Sequence, residues 1–329
     1  MTRYDRNDFP RQVFMQIARE MEECGLVTMR RGMRGGLRTT IEPTPSFRLR
    51  VSGLAVQIGR REGAESIILK ASDGRARPKV LVHYEDTPET NAMRADMETV
   101  NAMLGEADIK KEGIASPSPI FLSRRFQIEH KDDPHTFDQH GRLYGAGGFW
   151  LSMDKAERHL LRVNGEEVID LDFSAMHPRL AYLHTGLAMP NSDPYEIDSL
   201  PRAAAKVAVS ALLSRSGPMR RMPTELRQLV GPNWTPDGIT RAVVERHPGI
   251  AHLFGTGIGL RLMKTESDIL VETLVGLFSK GVPALPMHDG LMCPASQEEA
   301  ARREMARASL SVAGVALPVS KKEIERPNS

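Results

Sequence analysis

Apolar positions along the chain change period several times, and the changes mark its elements. From residue 9 to 23 they recur at helical spacing (Val13, Ile17, Met21), and Gly25 follows as a stop signal, so a helix is predicted. The next stretch, LVTMRRGMRGGLRTTIEPT, holds two short β-prone runs around a tip rich in Gly and Arg, which predicts a hairpin. Helical spacing returns over 88–104, with Pro88 near its start and Gly105 near its end. ASPSP at 115–119 reads as a linker and EHKDDPHTFDQHGR as a polar loop. Beyond Gly145 the pattern is more regular. It predicts a short helix at 156–160, a strand at 167–173, helices at 178–183, from about Pro201 and over 262–278, and a strand pair around MHDG. A helix at 298–310 and a strand at 315–319 complete the series. Strands separated by helices, with one tight antiparallel hairpin, define an α+β class with helices on one sheet face.

Composition narrows the picture modestly. A chain of 329 residues has room for two domains, and 40% hydrophobic with 26% charged residues is the make-up of a globular protein, not of a fibre or a disordered chain. The net charge of +2 decides nothing about partners, but its distribution is uneven: MRRGMRGGLR and GRRE concentrate Arg in the N-terminal third. Cys24 and Cys293 stand far apart without CxxC spacing, so neither a disulfide framework nor a structural zinc site is expected. The polar start lacks the apolar core of a signal peptide. No apolar run nears the roughly 18 residues that span a bilayer, so no membrane partner is expected and the cytoplasm is the default location.

Helix followed by a basic-tipped hairpin resembles a winged helix-turn-helix. In that arrangement Arg30, Arg31, Arg34 and Arg38 would lie along a phosphate backbone; the alternative is a solvated hairpin whose charges keep it apart from other edges.

Three further stretches carry candidate chemistry. In VIDLDFSAMHPR, strand alternation puts Ile169, Leu171 and Phe173 on one face and Asp170 and Asp172 on the other. Two neighbouring carboxylates on a buried strand repel unless a cation offsets them; on an edge strand they would simply be hydrated. In ALPMHDGLMCP, apolar runs flank Asp289-Gly290, a strong hairpin signal that explains both residues without chemistry, and His288 beside it suits a half-buried histidine equally well. Taken together, a carboxylate leaving a central strand and another at a hairpin tip could meet at Mg²⁺, which takes a few carboxylates plus substrate phosphates. In PRAAAKVAVSALLSRSG, Arg202 and Lys206 are four apart on one helical face and could hold a triphosphate or form a solvated stripe.

These stretches resemble known motifs in a known order. DFSAMHPR is similar to motif A of family A DNA polymerases, with Asp172, Ser174 and Arg179 in matching places; RAAAK resembles the opening of motif B; MHDG resembles the His-Asp core of motif C, shared with single-subunit phage-type RNA polymerases; and HGRLYG, containing Arg142, resembles the Gly-Arg template-primer motif. The resemblance runs roughly from Gly141 to the C-terminus. It implies a right-hand polymerase palm, an antiparallel sheet with helices on one face, plus reduced fingers and the N-terminal winged helix. It implies two Mg²⁺ ions, or Mn²⁺, on Asp172, Asp289 and the backbone carbonyl of Phe173. Arg202 and Lys206 would hold the phosphates of a nucleoside triphosphate, Lys206 would protonate the departing pyrophosphate, and His177 and Phe173 would border the nucleotide. Arg142, Arg179 and His288 would meet DNA. Asp170 has no place in the signature and is expected only to support the ligands.

Departures are as specific. The motif A Glu that restricts the sugar is His177 here, aromatic motif B positions are Ser210 and Ser214, and motif C ends in Gly290 instead of Glu. The expected organisation is a winged-helix-like domain over 1–60, a connecting, thumb-like helical region over 61–140 and palm with reduced fingers over 141–329. The expected function is template-directed nucleotide polymerisation on DNA, with a primer requirement left open. The alternatives are a primase or untemplated nucleotidyltransferase on the same palm, and a non-catalytic winged-helix DNA-binding regulator with a degenerate palm.

Overall fold

The computed structural model describes residues 11–32, 39–52, 64–72, 79–112, 120–146, 149–188, 190 and 192–325. The chain divides into two units, Met1–Glu65 and Ser66–Ser329. In the first, α1 (Arg11–Glu23) ends at Gly25, whose left-handed backbone (φ 67°) reverses the chain into β1 (Val27–Arg30). β1 pairs antiparallel with β2 (Thr40–Pro43), placing Arg30 opposite Thr40. The Thr44 hydroxyl then accepts from the Phe47 N–H and starts α2 (Pro45–Val51). Arg30 and Arg31 are exposed at the turn end of this hairpin, whereas Arg34 and Arg38 lie outside the described residues. The described residues of this unit thus hold two helices and a hairpin, without the third helix that a winged helix-turn-helix would have.

The second unit opens with β3 (Ile67–Ala71), β4 (Val80–Leu81), α3 (Pro88–Glu106), β5 (Ile109–Lys111), β6 (Phe121–Ile128) and β7 (His140–Ala146). The stretch expected to be helical over 61–140 holds one helix, α3, together with β3 to β6 and the start of β7 among the described residues. The order β4-β3-β6-β7 forms a four-stranded sheet, antiparallel except for the parallel β3–β6 pair. The polar pattern of EHKDDPHTFDQHGR hid the start of β7. A register shift at Arg125 and Phe126, with His140 and Gly141 both at positive φ, is a β-bulge that the hydrophobic pattern does not announce. Within β6, Arg124 is 2% exposed yet fully engaged: it donates to the Gly141 carbonyl at 3.1 Å, the Ser267 hydroxyl at 3.2 Å and Asp268 at 2.7 Å. The ASPSP linker lies outside the described residues.

The chain continues through β8 (Leu161–Val163), β9 (Glu166–Phe173), α4 (Met176–His184), α5 (Arg202–Ser214), α6 (Thr224–Val230), α7 (Pro236–Arg246), α8 (Gly259–Phe278), β10 (Leu285–Pro286), β11 (Gly290–Pro294), α9 (Glu298–Ala313) and β12 (Val319–Lys322). The expected helix at 156–160 is a 3₁₀ segment, Lys155–Leu160. The last strand begins at Val319, four residues later than expected, because Gly314 caps α9 in the left-handed region (φ 74°) and Pro318 has no N–H to give a sheet.

These strands form the second sheet, β10-β11-β9-β8-β5, with β12 on the other side of β9. β9 is thus flanked by β11 and β12 over Asp170 and Asp172, and all six residues from Val168 to Phe173 are buried. The hydrated-edge alternative for the two carboxylates does not hold. α9 packs on β11 and β12, and α8 packs on α9, α3, α4 and β7, which links the two sheets through one long apolar helix.

The pairing of β9 with β11 is close. A Cβ added to Gly290 would lie 2.1 Å from the Leu171 carbonyl oxygen and 2.9 Å from the Asp172 Cα. The absent side chain at this motif C position therefore has a packing cause. Gly290→Ala is expected to lower stability by about 1–3 kcal/mol, through strand displacement, as measured by the urea midpoint.

Candidate active site

The strand register builds the acidic centre. Asp172, next to last in β9, faces Gly290 on β11 and Ser320 on β12, and Asp289 immediately precedes β11 at the hairpin tip. The Asp289 carbonyl accepts from the Phe173 N–H at 3.1 Å, so the two acidic residues are fixed through the main chain, independently of their side chains. Past Phe173 the strand cannot continue: the Ser174 N–H donates to the Pro318 carbonyl at 2.8 Å, and Ala175 takes a left-handed conformation (φ 52°) to start α4. Arg179, expected to contact nucleic acid, donates to the Ser174 carbonyl at 2.9 Å, so part of its hydrogen-bonding capacity is spent on holding this turn.

A cavity of about 450 Å³ opens over this turn. β9 and the hairpin tip contribute Asp172, Phe173 and Asp289; α5 contributes Arg202, Lys206, Ser210 and Ser214; β7, α4 and α8 contribute Arg142, His177 and Glu266. Motifs separated by more than a hundred residues thus share one opening. α5 delivers its cations by simple periodicity, burying Ala204, Ala205, Ala208, Val209, Leu212 and Leu213 and leaving Arg202 and Lys206 exposed on the other face. Arg202 is engaged by Asp193 at 2.5 Å and lies over the Tyr195 ring, whereas Lys206 forms no hydrogen bond or ion pair among the described residues. His288 does not line the cavity; its ring lies 5.9 Å from Tyr144, which stacks on His140 at 5.8 Å and carries the Arg125 guanidinium at 4.5 Å. A stacked aromatic and cationic row therefore leads up to Asp289.

The electrostatics divide the opening. Burial raises the Asp172 carboxyl to about 7, helped by the Asp289 charge and opposed by Lys322, whose Nζ lies 2.7 Å from Asp172 Oδ2. Asp289 moves the other way: burial pushes it up, but Lys322, the neighbouring Asp172 carboxyl, its own backbone and Arg142 together outweigh that. The two carboxyls therefore titrate as a pair, with Asp172 the more readily protonated. The second Asp172 oxygen, Oδ1, is buried without a hydrogen-bond partner. Asp170 is separate from this centre, its carboxylate held by Arg158 at 2.7 Å. Burial also lowers the His288 and His140 pKa values, so both rings are neutral donors or acceptors near pH 7.

The donor set fits a hard cation. An orphaned buried carboxylate oxygen beside a second carboxylate is what Mg²⁺ would complete, and Asp172 and Asp289 are the residues that would hold it. Among the described residues no group of three or more His, Cys, Asp or Glu is arranged to hold a metal, so further ligands would come from substrate phosphates and the main chain.

Four residues at this site escaped sequence reasoning. Glu266, 1% exposed, binds Arg142 through two hydrogen bonds of 2.7 and 3.1 Å, and its Oε2 lies 2.7 Å from His177 Nε2. That contact is badly angled for a hydrogen bond, so the buried His177 Nε2 keeps its hydrogen-bonding capacity. The helical period betrays Glu266 in retrospect, since it falls on the buried face of α8 with Leu262, Ile269 and Leu270. Tyr195, whose hydroxyl is pushed up to about 12 by burial, and Ser320 line the cavity, and Lys322 stands beside it; no local pattern signals these three.

No family model matches the chain and none of the curated proteins matches it. Among solved structures, the POL domain of Pol1 from M. smegmatis, in complex with DNA primer-template and dNTP, aligns at a TM-score of 0.42 with 12% identity. The alignment covers 71% of this chain and 50% of that chain, so this chain spans about half of that structure's length. No helix among the described residues is long and apolar enough to cross a membrane.

A carboxyl with a higher pKa in the folded state than in the unfolded chain favours folding only where its proton is bound. Metal-free protein should therefore lose the Asp172 contribution as pH rises from about 4 to about 7. The stability difference between Asp172→Asn and the parent, followed by urea unfolding at a series of pH values, should grow in favour of the variant across that window and level off above it.

Proposed function

We propose that the second unit is a nucleotidyltransferase that extends a nucleic-acid chain from nucleoside triphosphates in a template-directed manner. One observation carries the reading: Asp172 and Asp289 border a single opening with Lys206 and Arg202. An acidic pair suited to a divalent cation, facing cations suited to phosphates, is the charge arrangement that phosphoryl transfer requires. Two Mg²⁺ ions bound by Asp172, Asp289 and the Phe173 carbonyl would supply charge neutralisation at the phosphoryl oxygens and a lowered pKa for the attacking hydroxyl.

The chain's own residues account for the remaining steps. Lys206, unpaired and exposed on α5, binds the outer phosphates and gives its proton to the departing pyrophosphate, while Arg202 adds a planar donor once Asp193 releases it. Glu266 offsets the Arg142 charge and lies against His177, so that part of the opening suits the uncharged sugar better than phosphate. The row of Arg125, His140, Tyr144 and His288 offers a stacking surface and positive charge to DNA beside the acidic pair. The N-terminal unit, with exposed Arg30 and Arg31 on its hairpin, adds phosphate contacts in the manner of a winged helix.

A second reading is favoured by one feature. α5 turns Ser210 and Ser214 to the opening where an aromatic ring would stack on a templated base pair, which suits a primase or an untemplated transferase on the same acidic pair. Extension assays with and without template, with and without primer, and with either sugar separate the two. The templated reading predicts incorporation only of the nucleotide complementary to the template; sequence-independent addition would replace it with the second.

Asp172→Asn and Asp289→Asn are each expected to abolish incorporation while far-UV circular dichroism remains unchanged; activity retained by either variant would refute the assignment. Lys206→Ala should slow single-turnover incorporation by at least about tenfold, equivalent to some 1.4 kcal/mol of transition-state stabilisation.

A further inference from the structure

The acidic pair has an internal counter-ion. β12 ends at Lys322, in register with Asp170 across β9, and the Lys322 ammonium reaches Asp172 Oδ2 at 2.7 Å. The two other acids nearby are already committed, Asp170 to Arg158 and Glu266 to Arg142, so Lys322 serves the pair that the site leaves open. Its side chain is 44% exposed, with water on one side into which it can withdraw. Asp172 Oδ1, by contrast, is buried and has no partner.

From this geometry we infer that Lys322 is a tethered counter-ion that keeps the acidic pair from loading a divalent cation until a nucleoside triphosphate arrives. The inference rests on the reading that Asp172 and Asp289 hold that cation. With both carboxylates ionised the pair carries two negative charges, and the Lys322 ammonium cancels one of them. A divalent ion arriving alone meets a site of small net charge and a competing cation on Oδ2, with no third acidic ligand among the described residues to offset this. A triphosphate changes the balance twice. It supplies phosphate oxygens that complete the cation's shell, and its negative charge lets Lys322 move off Asp172 onto phosphate. Lys322 thus acts through the carboxylates as a positioning residue and makes cation and nucleotide bind together.

The test is Mn²⁺ binding to the full chain, followed by electron paramagnetic resonance, without nucleotide and with a non-hydrolysable nucleoside triphosphate. The parent should bind Mn²⁺ weakly alone and much more tightly with the nucleotide, beyond the affinity of the nucleotide itself. Lys322→Gln should tighten nucleotide-free Mn²⁺ binding by about tenfold and shrink the gain from nucleotide by a similar factor. Lys322→Arg, which keeps the charge, should behave as the parent and guards against a packing effect at the strand end. Unchanged or weaker nucleotide-free binding in Lys322→Gln, with binding still lost in Asp172→Asn, overturns the role of Lys322 and leaves the acidic pair as the metal site. Binding that is insensitive to both Asp172→Asn and Asp289→Asn overturns the metal assignment and this inference with it.

Discussion

Main-chain pairing between β9 and β11 forces two carboxylates together that would otherwise separate. The Phe173 N–H to Asp289 carbonyl bond and the Asp172–Gly290 register fix both residues through the backbone, and Gly290 permits that approach because it has no Cβ to meet the Leu171 carbonyl. Mutual repulsion therefore cannot be relieved by moving apart. It is relieved by the raised pKa of Asp172, by the Lys322 ammonium and, in the proposed reaction, by a divalent cation. A buried acidic pair with a perturbed carboxyl, held in place by a sheet, marks a candidate functional site.

The surroundings are arranged around that demand. Arg124, buried in β6, ties the Gly141 bulge to Ser267 and Asp268 of α8, and α8 in turn carries Glu266 to Arg142 and His177. One buried guanidinium thereby couples the four-stranded sheet to the wall of the opening. Removing Asp268 would leave the buried Arg124 guanidinium without its charged partner, which is costly because Arg124 remains desolvated. Charge is sorted by element: the pair of acids on the second sheet, the cations Arg202 and Lys206 on α5, and the Glu266–Arg142 ion pair with His177 on α8, β7 and α4. A substrate with one strongly anionic end and one uncharged polar portion matches that division, and a nucleoside triphosphate has that form.

Some of this was legible in the sequence for a local reason. Arg202 and Lys206 fall on one face of α5 because helical periodicity fixes neighbours four apart, and Asp289-Gly290 announces its own turn. Asp172 and Asp289 were suspected together because their flanking motifs resemble an ordered set, but their meeting depends on strand register, which alternation alone does not specify. The first sheet was largely missed. β6 reads FLSRRFQI, with a buried Ser123 and Arg124 that interrupt the apolar pattern, and β7 begins in a bulge within a stretch that looks like a loop. Lys322 carries no local signal at all: its partner lies across a sheet, on a strand neighbour of β12, whose start the sequence puts four residues too early.

Crystals grown with Mn²⁺ and a non-hydrolysable nucleoside triphosphate, examined by anomalous diffraction, test the central claim most directly. The account predicts manganese peaks in contact with both the Asp172 and Asp289 carboxylates, with the triphosphate extending from them toward Lys206 on α5. Manganese bound elsewhere, or the two carboxylates facing away from each other with the triphosphate outside the opening, would contradict it.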